Sequence, residues 1–325
     1  MQKLSAPNRQ TFWIAKNVPA LIVMSHVKIG DFLLLTPLLR RIADGFPFLT
    51  IAVPDILTEL FSEEHIFERW IPAKDTSSFQ YQFKEAIPIL DLTYPLLDKA
   101  VPGHHLRLAK EPFREPRHVT HAYYEALCEY FEGMSCDQKP TPYLDLNPDE
   151  TVLARLQLKP FQYFSIHSGS DFAPKNWPPE NFERTIEAVL SIWPEVKCID
   201  LVGPSDKPLF EGKISPARFQ SVQTSIRNVA HILAGSLFHV DNDSGIHHLA
   251  GVLDVPSITA WGPTGPGTWG SISSRNFVHW GGPSCSDHCG GSRMVSCSNR
   301  VCLSSVKPAD LVESVRKILS AYSHF

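Results

Sequence analysis

Short apolar runs alternate with longer amphipathic segments along most of the chain. Apolar runs bounded by turn residues are typical of strands, and apolar residues spaced three and four apart are typical of helices. The first half predicts strands at residues 20–24, 48–53 and 87–92, with a helix at residues 31–43. The second half predicts strands at residues 163–167, 197–202, 237–241 and 257–261. This order predicts an α/β fold with two parallel sheets.

A proline-rich connection separates the two series. Residues 138–148 contain three prolines, which disfavour a helix and suit an extended segment. We therefore expect two domains, residues 1–145 and 146–325. Residues 308–322 form an amphipathic pattern that starts at Pro308, and they predict a helix that closes the second domain.

Composition and charge narrow the class of protein. The 325 residues are 43% hydrophobic and 20% charged, which is typical of a folded enzyme. The formal net charge of −4 gives no general attraction to nucleic acid. The first residues lack the apolar core of an export signal, which predicts a cytoplasmic protein. The apolar runs are shorter than the roughly 18 residues of a membrane helix, so at most peripheral membrane contact is expected.

The sequence Asp243-Ser244-Gly245 lies between a predicted strand and a predicted helix. The buried face of that helix is predicted to consist of Ile246, Leu249, Ala250 and Leu253. The first N–H groups of such a helix lack internal partners and carry the positive end of its dipole, so they can bind a phosphate. The alternative is that Asp243 or Ser244 only caps the helix.

Two further turns carry similar chemistry at the ends of predicted strands. Ser168 and Gly169 follow one strand and precede Lys175, and Thr264 lies in a turn rich in Gly and Pro after another. Ligands of open α/β sheets bind at the carboxyl ends of strands, so these turns are expected to converge on one anion. Lys175 would supply a point charge there, although a surface lysine is often only solvated.

These motifs, in this order and spacing, resemble the heptosyltransferases of glycosyltransferase family 9. The pieces that carry the resemblance span most of the chain: Gly30-Asp31, Leu35-Thr36-Pro37-Leu38-Leu39-Arg40, His167-Ser168-Gly169 with Lys175 and Trp177-Pro178, Asp243-Ser244-Gly245 with His248-Leu249-Ala250, and Trp261-Gly262-Pro263-Thr264. The resemblance implies a GT-B architecture, in which two Rossmann-like domains face a cleft. The N-terminal domain would bind the acceptor and the C-terminal domain the donor, ADP-heptose.

The resemblance also implies the reaction. A heptose would pass to a hydroxyl of a lipopolysaccharide core or another glycan, or to a protein as in some members. The enzyme would be cytoplasmic, at most peripheral to the inner membrane.

The resemblance assigns roles to individual residues. Asp31 is the expected general base, Lys175 a phosphate ligand and Asp243 a partner of the donor sugar's hydroxyls. The other expected donor contacts are Ser168, Gly169, Ser205, Asp206, Ser244, Gly245, His248 and Thr264, with Ser205 and Asp206 at the ribose. A carboxylate base, helix N–H groups and a lysine supply the chemistry of the transfer, so no catalytic metal is expected. From the residues alone, Asp31 has an alternative as a helix N-cap after Gly30.

Four cysteines lie close together near the end of the chain: Cys285, Cys289, Cys297 and Cys302. Without an export signal, this clustering favours a structural metal over a disulfide framework, and four thiolates suit tetrahedral Zn or Fe. The spacing lacks the strict pairs of a zinc ribbon, and His288 could replace one ligand. The resemblance agrees, since some protein-directed heptosyltransferases carry an iron-binding finger in this region.

The most basic stretch of the N-terminal half is residues 99–121, and it contains Arg107, Arg114 and Arg117. The family's acceptor is an acidic, phosphorylated lipid sugar, so these arginines are candidate acceptor contacts. The alternative is a solvated surface loop.

Two other classes of function compete with a transferase. A non-catalytic module that binds a nucleotide or sugar would keep the fold, but it has no need of both Asp31 and Lys175. A nucleic-acid-binding zinc finger is disfavoured, because residues 285–302 lack a concentrated basic and aromatic face.

Overall fold

The computed structural model describes residues 10–11, 20–24, 27–45, 49–62, 69–72, 88–91, 104–107, 118–132, 141–282, 289 and 292–322. The chain divides into two compact units, Met1–Pro142 and Tyr143–Phe325. The boundary expected from the prolines was residue 145.

The N-terminal unit contains a parallel sheet whose strands alternate with helices. Its described elements, in chain order, are β1 (Gln10–Thr11), β2 (Ala20–Val23), α1 (Ile29–Gly45), β3 (Leu49–Val53), α2 (Asp55–Leu60), β4 (Arg69–Pro72), β5 (Pro88–Asp91), β6 (His104–Arg107), α3 (Val119–Tyr130) and β7 (Phe131–Glu132). The sheet order is β4-β3-β2-β5-β6, and β1 pairs with β7 separately. The predicted strands at residues 20–24 and 48–53 and the helix at 31–43 are confirmed to within two residues at each end.

Helix α1 continues through Pro37, which has no N–H group to donate to the carbonyl of Leu33. The hydroxyl of Thr36 donates to that carbonyl over 2.7 Å instead. The hydroxyl of Thr120 in α3 donates to the carbonyl of Leu34 over 2.9 Å. These two bonds supply partners to buried backbone groups, so the helix tolerates its internal proline.

The C-terminal unit contains a larger parallel sheet. Its elements, in chain order, are α4 (Glu150–Arg155), β8 (Tyr163–His167), a 3-10 turn (Ala173–Lys175), α5 (Pro179–Ile192), β9 (Lys197–Leu201), β10 (Phe219–Val222), α6 (Ile226–Ala234), β11 (His239–Asn242), α7 (Gly245–Val252), β12 (Ser257–Trp261), α8 (Pro266–Trp269), β13 (Asn276–Trp280), α9 (Ser292–Ser296), α10 (Val301–Ser304) and α11 (Pro308–Tyr322).

The order of this sheet is β10-β9-β8-β11-β12-β13. In chain order this is 3-2-1-4-5-6, the order of a Rossmann fold. The chain leaves β8 for β9 on one side and returns to β11 on the other, so the order reverses between β8 and β11. Crevices at such a reversal are where open α/β sheets bind ligands.

The core of the C-terminal unit lies between the sheet and its helices. The rings of Phe164 and Phe238 stack at 5.0 Å between centroids. Trp177 is fully buried, packs edge-on against Phe182, and donates its indole N–H to the carbonyl of Val306 over 3.2 Å. The predicted elements at residues 163–167, 257–261 and 308–322 are confirmed at both ends.

Six described strands lie where the sequence predicted none: β1, β4, β6, β7, β10 and β13. Strand β6 falls inside the basic stretch of residues 99–121, for which a solvated surface loop was the alternative interpretation, and it pairs with β5. In the described part of the chain, no helix is long and apolar enough to cross a bilayer.

Candidate functional site

The ends of β8 and β11 are joined by one side chain at the point where the strand order reverses. The amide of Asn242 donates to the carbonyl of Ser168 over 2.7 Å, and its oxygen accepts the N–H of Trp177 over 2.8 Å. Asn242 is completely buried. The sequence analysis did not single out this residue, because its role depends on partners about 70 residues away in the chain. It fixes the turn after β8 against the turn after β11.

Asp243 is the centre of the polar contacts at this edge. It is 1% exposed, and its Oδ2 lies 2.9 Å from Nζ of Lys175. The same oxygen accepts a hydrogen bond from the hydroxyl of Thr264. Gly262 allows the third turn to approach closely, since a Cβ there would lie 3.2 Å from the Cα of Lys175. The three turns that the sequence placed at one sheet edge are therefore in contact.

Helix α7 starts at Gly245, directly after this cluster. Ser244 is its N-cap, and the Ser244 hydroxyl oxygen accepts the N–H of His247 over 3.3 Å. The capping alternative is thus correct as a local description. It does not exclude ligand binding, because a hydroxyl that accepts one hydrogen bond keeps its own proton to donate. The first turn of α7 presents the positive end of the helix dipole at the same edge as Lys175.

The buried face of α7 differs from the predicted one. Leu249 and Ala250 are buried as expected, but Ile246 and Leu253 are only half-buried. His247 and His248 take their place in the interior, at 0% and 7% exposure. The helix is rotated toward polar groups of the neighbouring strands, which an apolar periodicity cannot indicate. His248, an expected donor contact, lies with its ring 5.2 Å from that of His247.

The loop after β9 approaches the turn after β8 through two glycines. A Cβ at Gly169 or at Gly203 would lie 2.5 Å from Oδ2 of Asp206. The N–H of Asp206 donates to the carbonyl of Gly203 over 3.0 Å, which turns the loop back. A Cβ at either position would force this carboxylate to move. Asp206 and the neighbouring exposed Ser205 are thereby brought beside Gly169.

Two buried titratable groups lie beneath this edge. Burial raises the pKa of Asp200 in β9 to about 6, although the hydroxyl of Ser221 donates to its carboxylate and opposes the rise. Burial lowers the pKa of His239 in β11 to about 4, against the attraction of Asp241. At neutral pH the imidazole of His239 is therefore neutral and Asp200 is mostly ionised.

Asp31 lies in the N-terminal unit. It is the third residue of α1, within the first turn, and it is exposed. Since the helix starts at Ile29, Asp31 does not occupy the N-cap position that the alternative interpretation required. An acidic residue in this turn is favoured by the helix dipole.

The basic stretch and the cysteine cluster fall partly outside the described residues. Arg107 is the last residue of β6, whereas Arg114 and Arg117 lie outside the described part of the chain. Cys285 and His288 also lie outside it. Cys297 donates its thiol to the carbonyl of Asn299 over 3.3 Å, and Cys302 is buried in the core. Among the residues that are described, no group of three or more His, Cys, Asp or Glu could hold a metal ion.

Comparison with known proteins identifies similar sequences. The model of "Glycosyltransferase family 9 (heptosyltransferase)" matches residues 103–294, more than half of the chain. Lipopolysaccharide heptosyltransferase 1 of Escherichia coli K12 is 30% identical over 106 residues, which cover 32% of this chain and 33% of that protein. The chain thus matches about a third of the length of this relative.

Two solved structures share the fold over nearly the whole chain. E. coli ADP-heptose lipopolysaccharide heptosyltransferase II has a TM-score of 0.71 at 16% identity, covering 94% of this chain and 99% of that one. The iron-containing dodecameric glycosyltransferase TibC of enterotoxigenic E. coli has a TM-score of 0.64 at 14% identity, covering 94% and 77%. At such identities the likeness concerns the fold, and it confirms the expected α/β class of GT-B type.

Proposed function

Because the chain belongs to glycosyltransferase family 9, we propose that it transfers a heptose from ADP-heptose to an acceptor hydroxyl. The observation that supports this most is the contact of Lys175 with Asp243, 2.9 Å apart at the N-terminus of α7. A cation, a buried carboxylate and the N-terminus of a helix meet there, at the reversal of the strand order. A diphosphate and a polyhydroxylated sugar need this combination.

In the proposed complex, the ammonium of Lys175 and the first N–H groups of α7, from Gly245 onward, bind the diphosphate. As the anomeric C–O bond breaks, negative charge accumulates on the leaving diphosphate, and these groups stabilise it. Asp243 accepts hydrogen bonds from hydroxyls of the sugar. The remaining donor contacts are assigned to Ser168, Gly169, Ser205, Asp206, Ser244, His248 and Thr264.

The proposed ribose contact is Asp206. Its carboxylate lies against Gly169 and Gly203, at the end of the strand beside β8. A carboxylate accepts two hydroxyl donors, which suits a ribose diol. Rossmann folds that bind dinucleotides use an acidic residue for this purpose.

The proposed base is Asp31. Its carboxylate takes the proton of the acceptor hydroxyl while that oxygen bonds to the anomeric carbon and the diphosphate leaves. The assignment rests on the resemblance of Gly30-Asp31 to the family and on the position of Asp31 in the first turn after β2. The proposed acceptor is a lipopolysaccharide core or another glycan, contacted by Arg107, Arg114 and Arg117, and the proposed location is cytoplasmic with at most peripheral membrane contact. A protein acceptor is the alternative.

The proposal is tested by thermal unfolding in the presence of ADP, UDP, GDP and ADP-heptose. A ligand that binds only the folded protein stabilises it by about 2.7 kcal/mol at a hundred times its Kd. We expect ADP and ADP-heptose to raise the Tm, and UDP and GDP to have little effect. No shift with any of the four would reject a nucleotide-sugar site.

A matched pair of caps makes the test specific to the site. Ser244 caps α7, and Ser225 caps α6 by accepting the N–H of Asn228 over 3.4 Å. Replacing either serine by alanine removes an N-cap and costs about 1 kcal/mol of folding stability. Only Ser244→Ala is expected to reduce the Tm shift given by ADP. Equal shifts in the two variants would contradict the assignment of Ser244 to the donor.

A further inference from the structure

His247, the third residue of α7, joins four elements of the C-terminal unit through one buried imidazole. Its Nδ1 lies 3.2 Å from Oδ2 of Asp241 in β11 and 2.9 Å from Oγ1 of Thr259 in β12. Its Nε2 accepts the N–H of Ser271, in the segment after α8, over 3.3 Å. His247, Asp241 and Thr259 are all completely buried.

These partners determine which nitrogen of His247 carries the proton. Nε2 accepts a backbone N–H, so it has no proton of its own. The proton of the neutral ring is therefore on Nδ1, where the hydroxyl oxygen of Thr259 and the carboxylate of Asp241 can accept it. The hydroxyl of Thr259 lies 3.4 Å from Oδ1 of Asn276, which accepts its proton. A single tautomer of His247, with the proton on Nδ1, thus satisfies the contacts of both ring nitrogens.

Asp241 depends on this imidazole. Its Oδ2 lies 3.5 Å from Nε2 of His239 as well as 3.2 Å from His247, and its Oδ1 has no hydrogen-bond partner among the described residues. His239 is neutral at pH 7, because burial lowers its pKa to about 4. A buried carboxylate with two imidazole neighbours loses a main partner if His247 is removed.

The same residue belongs to the turn that meets the proposed diphosphate. The backbone N–H of His247 donates to the Oγ of Ser244, while its side chain contacts Asp241, Thr259 and Ser271. Ser271 contacts α7 a second time, since a Cβ at Gly251 would lie 2.0 Å from its Oγ. Ser271 therefore holds α7 at its first turn, through His247, and near its end, at Gly251.

We propose that His247 is a positioning residue for the donor diphosphate: by bonding to Asp241, Thr259 and Ser271, it fixes the direction of the first N–H groups of α7. This inference rests on the proposed function, because it assumes that those N–H groups bind the donor. His247 acts through the helix and does not touch the ligand.

Calorimetric titration with ADP tests the proposal. His247→Leu loses the contacts of Nδ1 with Asp241 and Thr259 and the contact of Nε2 with Ser271. The resulting misalignment of the anion-binding N–H groups is expected to raise the Kd of ADP about tenfold to a hundredfold. In His247→Asn the amide nitrogen can replace Nδ1 as a donor to Asp241 and Thr259, but the acceptor for Ser271 is lost. We expect its Kd to lie between those of the wild type and His247→Leu.

His279→Leu is the matched control. The Nε2 of His279 lies 2.9 Å from the hydroxyl of Ser314 in α11. His279 is in β13, the edge strand that lies three strands away from β8. Its replacement removes an imidazole–hydroxyl contact within the same unit. We expect this variant to be less stable and to bind ADP with an unchanged Kd. Unchanged affinity in folded His247→Leu and His247→Asn would overturn the inference and leave the proposed function intact. A wild-type protein that bound no ADP would reject both.

A second measurement examines His247 in the wild-type protein and uses His247→Asn only to assign its signals. Nitrogen-15 NMR of histidine distinguishes an imidazole protonated at Nδ1 from one protonated at Nε2, and the signals of His247 are assigned by their absence in His247→Asn. We expect the Nδ1–H form at neutral pH. An Nε2–H form would contradict the bond from Ser271 and overturn the inference, even if the Leu variant failed to fold.

Discussion

The contact between Lys175 and Asp243 allows structural and functional roles to be separated by one double-mutant cycle. The side chain of Asp243 is 2% exposed and that of Lys175 is 24% exposed. Lys175→Met leaves a buried carboxylate with only the hydroxyl of Thr264 as a described partner. Breaking a fully buried pair costs 3–5 kcal/mol, and the partial exposure of Lys175 reduces our expectation to about 2 kcal/mol.

Neutralising the other partner reverses the structural part of this loss. In Lys175→Met/Asp243→Asn no buried charge remains unpaired, and the amide oxygen of Asn still accepts the hydroxyl of Thr264. We expect urea unfolding to show that the double variant recovers most of the lost stability, which gives a coupling energy of about 2 kcal/mol.

ADP affinity is expected to behave differently from stability. A charge-assisted hydrogen bond from Lys175 to a phosphate contributes about 1.5–3 kcal/mol, so its loss raises the Kd of ADP roughly tenfold to a hundredfold. The double variant does not recover this loss, since it still lacks the cation. Asp243→Asn alone removes a negative charge beside the phosphates, so it should bind ADP at least as well as the wild type and ADP-heptose less well.

The control for the cycle is a surface pair in the same unit. Nζ of Lys213 lies 3.1 Å from Glu183, with exposed fractions of 48% and 27%. Lys213→Met is expected to cost less than 1 kcal/mol and to leave ADP binding unchanged. The reasoning is refuted if the double variant regains ADP affinity together with stability, because Lys175 would then act only through folding.

Three further predictions concern the base, the buried acid and the cysteines. Asp31→Asn should lower kcat at least a hundredfold while leaving the Kd of ADP unchanged, and retained turnover would reject the base. The pKa of Asp200 rises from 3.8 to about 6, so the folded state loses about 3 kcal/mol as pH rises through that window. The depressed pKa of His239 acts oppositely, stabilising as pH rises from about 4 to 6.5. Asp200→Asn should therefore make the unfolding free energy rise more steeply with pH between about 4 and 6 than it does in the wild type. Metal analysis of purified protein should find about one Zn or Fe per chain, and the absence of both would reject the four-cysteine site.

The sequence predicted the strands that are buried on both faces and missed strands at the sheet edges. The segments 163–167 and 257–261 are short, mainly apolar runs bounded by turns, and every residue in the corresponding strands is buried. Strands β10 and β13 lie at the two edges of the same sheet, and each contains partly exposed residues. Half-exposed edge strands need neither a continuous apolar run nor a strict alternation, so no pattern indicated them.

The parts of the candidate site that lie within one short segment of the sequence could be predicted. A hydroxyl residue, a glycine and a helix start are visible at residues 243–245, and the parallel arrangement predicts that such turns share one edge. Asn242 and His247 could not be assigned, because their roles come from partners on other elements of the sheet. In the sequence, Asn242 is typical of a turn residue. The apolar periodicity of α7 predicts that Ile246 is buried, but it is only half-buried.

The residues around the proposed donor site explain why stability and affinity are coupled there. Asn242, Asp243 and His247 lie within one strand, turn and helix, and each is at most 1% exposed. Buried polar groups are tolerated only when they are hydrogen-bonded, and their partners come from the turn after β8, the 3-10 turn, β11, β12 and the turn after β12. A substitution at the site is therefore expected to change the packing of the surrounding core as well as the affinity for the ligand. Loss of activity alone cannot assign a role to these residues, whereas a variant pair that restores stability without restoring ADP binding can.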